Sequence, residues 1–292
     1  THERQMVEAL TAINPETGQE LLAPNELAPE QKDVWVIGGG PAGLTAALEA
    51  VKLGHKVTLY EQADELGGQV HFARQAPFKA VYGDWIDWLA TQVGKNGVSV
   101  KTGVTVTDEM LEQEAPEAVV LATGGQKVVP EIKGLDQPIV CDAWQVLNRE
   151  KPPGNNIVII GAGLIGMETA DFLVDQGSTV TLVELLEKSP VLRITAHGYQ
   201  LHKRLRDARV GFQFSTYISS IEGDRVTLSC NGKEDILEGV DQVVLAAGIR
   251  PRSDLKQTLE QKGIRHFVVG DASQVRRIIE STEEGARAAW EI

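Results

Sequence analysis

Three glycines at short spacing stand where a predicted strand turns into a predicted helix, and this arrangement is suited to holding a dinucleotide. An apolar run at 34–37 leads directly into Gly38, Gly40 and Gly43, and residues 44–53 follow with a helical pattern. The first glycine permits a tight turn, the second lets the backbone approach a pyrophosphate, and the third lets the helix lie against the strand. Backbone N–H groups and the positive dipole end of the helix would then face the phosphates.

A carboxylate completes the motif at the end of the next apolar run. The strand predicted at 57–60 ends on Glu61, where a carboxylate can accept hydrogen bonds from both hydroxyls of a ribose. Three glycines alone are a weak signal, because an ordinary strand-to-helix turn followed by a surface glutamate would look the same. The strand before the turn, the helix after it and the acid together favour a dinucleotide site.

The same unit occurs a second time at a constant offset of 123 residues. Gly161, Gly163, Gly166 and Glu184 repeat the three glycines and the acid at that spacing, and Gly248 repeats an earlier glycine at a strand end with an offset of 124. Repetition of several landmarks at one spacing indicates two copies of one architecture. We therefore predict an α/β protein with two Rossmann-like three-layer dinucleotide-binding domains, the second inserted in the first.

Proline and glycine clusters set the predicted domain boundaries. Residues 1–30 are mostly polar and contain three prolines, which predicts an N-terminal extension or linker. A Lys-Pro-Pro-Gly sequence at 151–154 marks the boundary between the two copies. The first domain is expected to be discontinuous, at 31–150 and 250–292, and the second to occupy 151–249.

Composition limits the class of protein. The chain has 292 residues, of which 42% are hydrophobic and 24% charged, as in ordinary globular proteins. Its net charge of -13 argues against a nucleic-acid surface, and no apolar run approaches the length of a membrane span. Cys141 and Cys230 lie far apart, which excludes a Cys-x-x-Cys dithiol relay and fits a reducing cytoplasm. The histidines have no metal-binding spacing, so no metal site is predicted.

The paired motifs resemble those of two-dinucleotide-binding-domain flavoproteins, in which the first motif binds FAD and the second binds NAD(P)H. The resemblance covers about residues 33–292, and it implies that the first domain binds FAD and the second the nicotinamide dinucleotide. The residues it implies for FAD are Gly38, Gly40, Pro41, Ala42, Gly43, Glu61, Gln62, Gly68, Gln69, Val104, Ala122, Thr123, Gly124, Gly270 and Asp271. Those it implies for the nicotinamide dinucleotide are Gly161, Gly163, Leu164, Ile165, Gly166, Glu184 and Gly248.

Glu184 decides which nicotinamide dinucleotide is expected. A carboxylate there can bind a ribose 2′-hydroxyl but would repel a 2′-phosphate, and Leu185 and Leu186 after it supply no arginine. We therefore predict NADH as the reductant. Hydride transfer from a nicotinamide to a flavin needs stacking and a dry pocket rather than an acid or a base, so we name no catalytic residue.

A narrower resemblance is to the C-terminal half of the 2,4-dienoyl-CoA reductase and trimethylamine dehydrogenase family of old-yellow-enzyme-like oxidoreductases. It is carried by Asn14–Glu20, by the Gly-Gly-Gly-Pro-Ala-Gly-Leu turn at 38–44 and by Gly54–Val57. The resemblance implies a partner (β/α)8 barrel with FMN and a [4Fe-4S] cluster. The cluster cysteine expected before Asn14 is missing at 10–13, and no barrel is present in this sequence. The chain is interpreted either as an excised domain or as a subunit whose partner holds that half.

The function implied is oxidation of NADH through FAD, with electrons passed to a partner flavin or iron–sulfur centre that reduces an activated double bond in an enoyl-CoA or enoate. Two alternatives stay open. One is a free-standing NADH:acceptor reductase of the diaphorase kind, and the other is a non-catalytic FAD- or ADP-binding module. The complete second motif with its acid argues against the non-catalytic alternative, since such a module has no need of a second site.

Overall fold

Contacts between residues divide the chain into two compact units in the computed structural model. The model describes residues 13–114, 116–191, 193 and 195–292, so the part of the predicted extension before residue 13 lies outside the described residues. The first unit runs up to His71 and resumes at 81–126 and 249–292. The second unit comprises 72–80 and 127–248.

Strands and helices alternate over most of each parallel sheet, whereas β9 to β14 follow one another without a helix between them. The strands are β1 (Asp33–Ile37), β2 (Lys56–Tyr60), β3 (Ser99–Lys101), β4 (Ala118–Leu121), β5 (Gly125–Lys127), β6 (Val140–Asp142), β7 (Asn156–Ile160), β8 (Thr179–Val183), β9 (Gly211–Gln213), β10 (Thr216–Glu222), β11 (Arg225–Cys230), β12 (Lys233–Leu237), β13 (Gln242–Leu245), β14 (Ile249–Pro251) and β15 (Arg265–Val268). The helices are α1 (Pro41–Lys52), α2 (Val70–Ala73), α3 (Ala80–Lys95), α4 (Asp108–Glu114), α5 (Ala143–Leu147), α6 (Leu164–Asp175), α7 (Ala196–Asp207), α8 (Lys256–Lys262) and α9 (Ile278–Trp290).

The first unit is a parallel sheet covered on both faces. Its strand order is β15-β4-β1-β2-β3, and all neighbours run parallel. Val34 and Val36 of β1 pack with α1 and α3 on one face, whereas Trp35 and Ile37 pack with α4 and α8 on the other. Burial of alternate residues on opposite faces explains why the strand is a continuous apolar run rather than an alternating one.

The second unit repeats this sheet with a different outer layer. Its strand order is β6-β13-β7-β8-β9, again with parallel neighbours. Ile157 and Ile159 pack with α6 and α7, whereas Val158 and Ile160 pack with the antiparallel sheet β10-β11-β12. The predicted α/β class and the doubled Rossmann-like sheets are confirmed. The antiparallel sheet was not predicted, because its last strand is polar and exposed and carries no buried alternation.

The compact units differ from the predicted domain boundaries at two places. Residues 127–150 lie in the second unit, because β6 pairs with β13 and α5 packs on the same sheet. The segment 72–80 also lies there, and the ring of Phe72 stacks on Trp144 with centroids 5.1 Å apart. The proline pair at 151–154 is therefore a loop inside the second unit, which local composition alone could not distinguish from a linker.

The described part of the predicted extension is tied to the last helix of the first unit. Residues 13–30 form turns, and the side chain of Gln19 donates to Glu283 at 2.7 Å and accepts from Arg287 at 3.0 Å. Both partners lie on α9. Among the described residues, none of the helices combines the length and the apolar character needed to cross a membrane.

Candidate functional site

The first and third glycines of the first turn are required by the protein's own packing. A Cβ at Gly38 would lie 2.2 Å from the carbonyl oxygen of Ala122, and its φ of +113° is one that other residues rarely adopt. A Cβ at Gly43 would lie 1.8 Å from the carbonyl oxygen of Gly38. The β1–α1 turn can close against β4 only because both positions lack a side chain.

The middle glycine of the same turn has no such reason within the protein. Gly40 has an ordinary extended backbone, with φ −81° and ψ −173°, and no protein atom lies within 4 Å of where its Cβ would be. It is the N-cap of α1, and no side chain caps the helix there. The structure therefore leaves open space beside backbone N–H groups at a helix N-terminus, which is the arrangement that binds a pyrophosphate.

The second turn repeats each of these features. A Cβ at Gly161 would lie 2.3 Å from Ala246 O, and one at Gly166 would lie 2.0 Å from Gly161 O. At Gly163, the uncapped N-cap of α6, the nearest protein atom is Cγ of Pro190, 4.0 Å away. Both turns thus provide the glycine cradle that a dinucleotide requires, and FAD and a nicotinamide dinucleotide fit them by the same test.

Each predicted acid is held by two backbone N–H groups at the edge of its cradle. Glu61 accepts from Gly39 N at 2.7 Å and from Ala63 N at 2.8 Å, one bond to each carboxylate oxygen. Glu184 accepts in the same way from Ala162 N and Leu186 N. A carboxylate oxygen has two lone pairs, so both acids keep acceptor capacity for ribose hydroxyls while the turn fixes their orientation.

Further predicted FAD residues converge on the first turn from distant parts of the chain. Gly68 lies against Gly40, since a Cβ on Gly68 would be 3.1 Å from the Gly40 Cα. The Gln69 side chain donates to Asp271 at 3.2 Å. Burial raises the pKa of the half-buried Asp271 carboxyl above its usual value, against the opposing effect of hydrogen bonds from Arg276 N and Gln69. A half-buried amide and carboxyl beside the cradle are suited to the hydroxyls of a polyol.

Gly270, beside Asp271, lies close to the same turn. A Cβ on Gly270 would be 2.9 Å from the Cβ of Ala42, which with Pro41 opens helix α1. The structure therefore brings the predicted residues at 40–43, 68–69 and 270–271 together in the first unit.

The strand-end residues divide into packing and open positions. Ala122 closes the turn through its carbonyl oxygen, and the Thr123 hydroxyl donates to the carbonyl oxygen of Arg252. Gly124, like Gly248 in the second unit, has open space where a side chain would stand. The Val104 N–H donates to the backbone carbonyl oxygen of Glu61 at 2.9 Å, and its side chain packs against the core. In this structure Val104 therefore helps to hold the backbone of Glu61 in place.

Three other predicted residues are at least partly exposed. Gln62 is exposed and accepts from Arg252 Nη1 at 3.1 Å, a partner that spacing could not identify because the two residues are 190 positions apart. In the second unit, Leu164 is 37% exposed and Ile165 is half-buried at the start of α6. Both are apolar, so neither places a charged side chain at the N-terminus of α6.

The cysteines have no catalytic arrangement in the described residues. Cys141 is buried, and burial raises the pKa of its thiol to about 11, so it is not a thiolate nucleophile at neutral pH. Cys230 is also a free thiol. The described residues contain no group of three or more histidine, cysteine or acidic side chains placed to hold a metal ion.

Comparison with known proteins places these features in a family. Residues 32–276 match the family model of the pyridine nucleotide-disulphide oxidoreductases. The chain is 37% identical over 287 residues to an NADH oxidase of Thermoanaerobacter brockii, covering 96% of this chain and 44% of that protein. It is 35% identical over 278 residues to a bilirubin reductase of Mediterraneibacter gnavus, covering 95% of this chain and 43% of that protein.

A solved structure shares the fold over nearly the whole chain. A 2-naphthoyl-CoA reductase in complex with 2-naphthoyl-CoA superposes with a TM-score of 0.87 and 28% identity, covering 96% of this chain and 43% of that one. The chain therefore spans less than half the length of these relatives, and its resemblance to the C-terminal half of the 2,4-dienoyl-CoA reductase group is confirmed. The chain belongs to the pyridine nucleotide-disulphide oxidoreductase family.

Proposed function

We propose that the turn at 38–43 holds FAD, that the turn at 161–166 holds NADH, and that the chain passes electrons from NADH through FAD to an acceptor. The observation that carries this proposal is the open space at Gly40 and Gly163. Each of these glycines is dispensable for packing, so its lack of a side chain is explained by a ligand. A protein with a single cradle could serve as a binding module. Two cradles of this design allow two dinucleotides to bind, which electron transfer between them requires.

The first unit is the better candidate for FAD because it offers more polar contacts beyond the cradle. Gln69 and Asp271 meet beside the first turn, and Arg252 reaches Gln62 from another part of the chain. A cofactor that stays bound through many turnovers is favoured by contacts from several chain segments. In the part of the chain that the structure describes, the second turn has its acid, Glu184, and the loop at 189–190 beside it, which suits a reductant that binds and leaves.

Glu184 favours NADH over NADPH. Two backbone N–H groups hold its carboxylate in place, so it cannot readily turn away from an incoming 2′-phosphate. Leu185 and Leu186, which are 69% and 53% exposed, present no positive charge at that edge. A phosphate there would face a fixed negative charge, whereas a hydroxyl would find an acceptor.

The chain's contribution to the reaction is binding and orientation. Bound together, NADH and FAD supply the hydride donor and the flavin that accepts it and can release electrons to a further acceptor. The N-termini of α1 and α6 would hold the two pyrophosphates, and Glu61 and Glu184 would fix the two riboses. Transfer of a hydride needs no protein acid or base, so the role of these residues is to bind and orient the two dinucleotides.

We further propose that the acceptor is an FMN and [4Fe-4S] centre in a (β/α)8 domain or subunit, serving an enoyl-CoA or enoate reduction. More than half of each relative lies outside the matched part, and the relatives include a bilirubin reductase and a 2-naphthoyl-CoA reductase. The likeness to an NADH oxidase keeps a second candidate, a free-standing NADH:acceptor reductase. The unpaired thiols of Cys141 and Cys230 agree with a reducing cytoplasm.

The test is to purify the chain, release and identify any bound flavin, and mix the protein anaerobically with NADH. We expect stoichiometric FAD and rapid bleaching of the flavin absorbance. A protein with no flavin, or with a flavin that NADH does not reduce, would contradict the proposed function. Fast turnover with quinones or dyes, and no bound partner after affinity capture, would favour the free-standing reductase over the partnered one.

A further inference from the structure

The loop after each acid folds back onto its glycine turn, but the two copies close this contact with different chemistry. At the offset of 123 residues, Leu66 and Gly67 of the first unit correspond to Ser189 and Pro190 of the second, and Gly39 corresponds to Ala162. The correspondence is structural as well, because Glu61 and Glu184 accept from equivalent backbone N–H groups in the two copies.

In the first unit the contact is made by backbone and by a leucine. Gly67 N donates to Gly39 O at 2.8 Å. The side chain of Leu66 fills the space beside the turn, since a Cβ on Gly39 would lie 2.6 Å from Leu66 Cδ2. The carbonyl of Gly39, which precedes the middle glycine Gly40, is therefore held by a backbone N–H of the loop.

In the second unit that N–H does not exist, because position 190 is a proline. The hydroxyl of Ser189 takes its place and donates to Ala162 O at 2.6 Å, while it accepts from Val191 N at 3.1 Å. The sizes are exchanged as well: alanine replaces the glycine of the turn, and the short serine replaces the leucine of the loop. Two compensating changes thus preserve one contact.

This contact fixes the direction of an N–H group in the cradle. The carbonyl of Ala162 and the N–H of Gly163 belong to one planar peptide, so holding the oxygen also sets the orientation of the N–H. The same loop carries Pro190, whose Cγ is 4.0 Å from the Cβ position of Gly163. Loss of the Ser189 hydroxyl would leave the Ala162 oxygen without this donor and would free both the peptide and the loop.

We propose that Ser189 is a positioning residue for the nicotinamide dinucleotide: its hydroxyl holds the Ala162–Gly163 peptide so that the N–H faces the pyrophosphate. The inference rests on the proposed function of the second turn. It differs from that function because it assigns the affinity of the cradle to a side chain outside the glycine motif. Its effect should appear in binding and not in the rate of hydride transfer once the dinucleotide is bound.

The experiment compares Ser189→Ala, Ser189→Thr and Ser178→Ala in the purified flavin-containing chain. Ser178 is a matched control, because its half-buried hydroxyl also donates to a backbone carbonyl, Gly154 O at 2.7 Å, but at the other end of β8. Binding of NAD⁺ is measured by calorimetry. The rate of flavin reduction is followed against NADH concentration by stopped-flow absorbance.

We expect Ser189→Ala to raise the Kd for NAD⁺ by about tenfold, the usual scale for one hydrogen bond in a binding site, with a limiting reduction rate within about twofold of the parent. Ser189→Thr and Ser178→Ala should bind as the parent does. Ser189→Cys, with a similar size and a weak donor, replaces the alanine variant in the comparison if alanine prevents folding.

Unchanged NAD⁺ affinity in Ser189→Ala, or equal losses in the alanine and threonine variants, would overturn the inference. Equal losses in Ser189→Ala and Ser178→Ala would do the same, since the effect would then be general to the unit. Failure of the proposed function gives a different result, because the parent protein itself would not bind NAD⁺ or would not be reduced by NADH.

Discussion

The two glycine turns share the same internal bonds but are enclosed differently. Gly38 N donates to Tyr60 O and Gly161 N donates to Val183 O, both at 2.8 Å, and each turn has an open middle position. The first turn is also contacted by Gly68 and by a segment near the C-terminal end of the described chain. Among the described residues, the second turn is contacted, besides the strand end at 246–247, by the loop at 189–190, in part through a serine hydroxyl.

The glycine motif therefore sets the shape of each turn, whereas more distant parts of the chain set how far the turn is covered. Within the proposed function, the turn with more neighbours belongs to the cofactor that stays, and the turn with fewer neighbours to the one that exchanges. The outer layers differ in parallel: α4 and α8 cover one sheet, and the antiparallel sheet β10-β11-β12 covers the other.

The largest expected effect is on the stability of the fold, and it distinguishes a glycine that packing requires from one with open space beside it. Gly166→Ala would place a Cβ only 2.0 Å from the Gly161 carbonyl oxygen and should lower the free energy of unfolding by about 3 kcal/mol. Gly163→Ala meets no protein atom nearer than 4.0 Å and should change it by less than about 0.5 kcal/mol. Urea denaturation of both variants measures the difference, and equal losses would contradict the division.

A second pair of variants separates the two cradles by ligand. Gly163→Val should reduce NADH affinity by about 100-fold, equivalent to about 3 kcal/mol, because a side chain would occupy the space left for the pyrophosphate. Its FAD content should stay at the parent value. Gly40→Val should show the opposite pattern, with FAD lost on purification. Flavin content and NADH titration check both, and loss of FAD in the Gly163 variant would break the assignment.

A third change tests the acid of the second turn. Glu184→Arg should raise the KM for NADH by about tenfold, or about 1.4 kcal/mol, because it removes the ribose acceptor. The same variant should use NADPH better than the parent does, since an arginine attracts a 2′-phosphate. Glu61→Gln is the control in the other turn and should leave the KM for NADH unchanged. A parent enzyme that prefers NADPH in steady-state kinetics would contradict the role of Glu184.

The smallest effect concerns pH and is confined to the first unit. Burial raises the pKa of Asp271 in the folded state, so the folded protein holds this proton more tightly than the unfolded chain does. Ionisation of Asp271 therefore costs stability as the pH rises through the window between its unfolded and its raised folded pKa. Asp271→Asn should melt slightly higher than the parent at neutral pH, and this advantage should vanish below the ordinary pKa of aspartate.

Thermal melts of the flavin-free protein at several pH values measure this difference without interference from cofactor binding. An advantage of Asp271→Asn that grew as the pH fell would have the wrong sign and would show that another group controls the effect.

Local elements could be predicted well because their signals are local. The strands at 33–37 and 179–183 and the helices after the glycines are where apolar runs and glycine turns indicate them. Prediction failed for β12, whose residues are exposed and polar, and for the segment 72–80, whose place in the second unit depends on partners such as Trp144. Composition cannot reveal which sheet a short strand joins.

The amino-acid sequence alone was enough to predict two glycine turns, each followed by an acid, because apolar runs, glycine spacing and a constant offset are properties of the chain. The tertiary structure was needed to show which glycines are required by packing and which have open space beside them, since that depends on whether a carbonyl such as Ala122 O stands opposite. It also decided that Gln69 meets Asp271, 202 positions away, and that Ser189 holds Ala162. Contacts of this kind arise when separate segments pack together, and no local pattern encodes them.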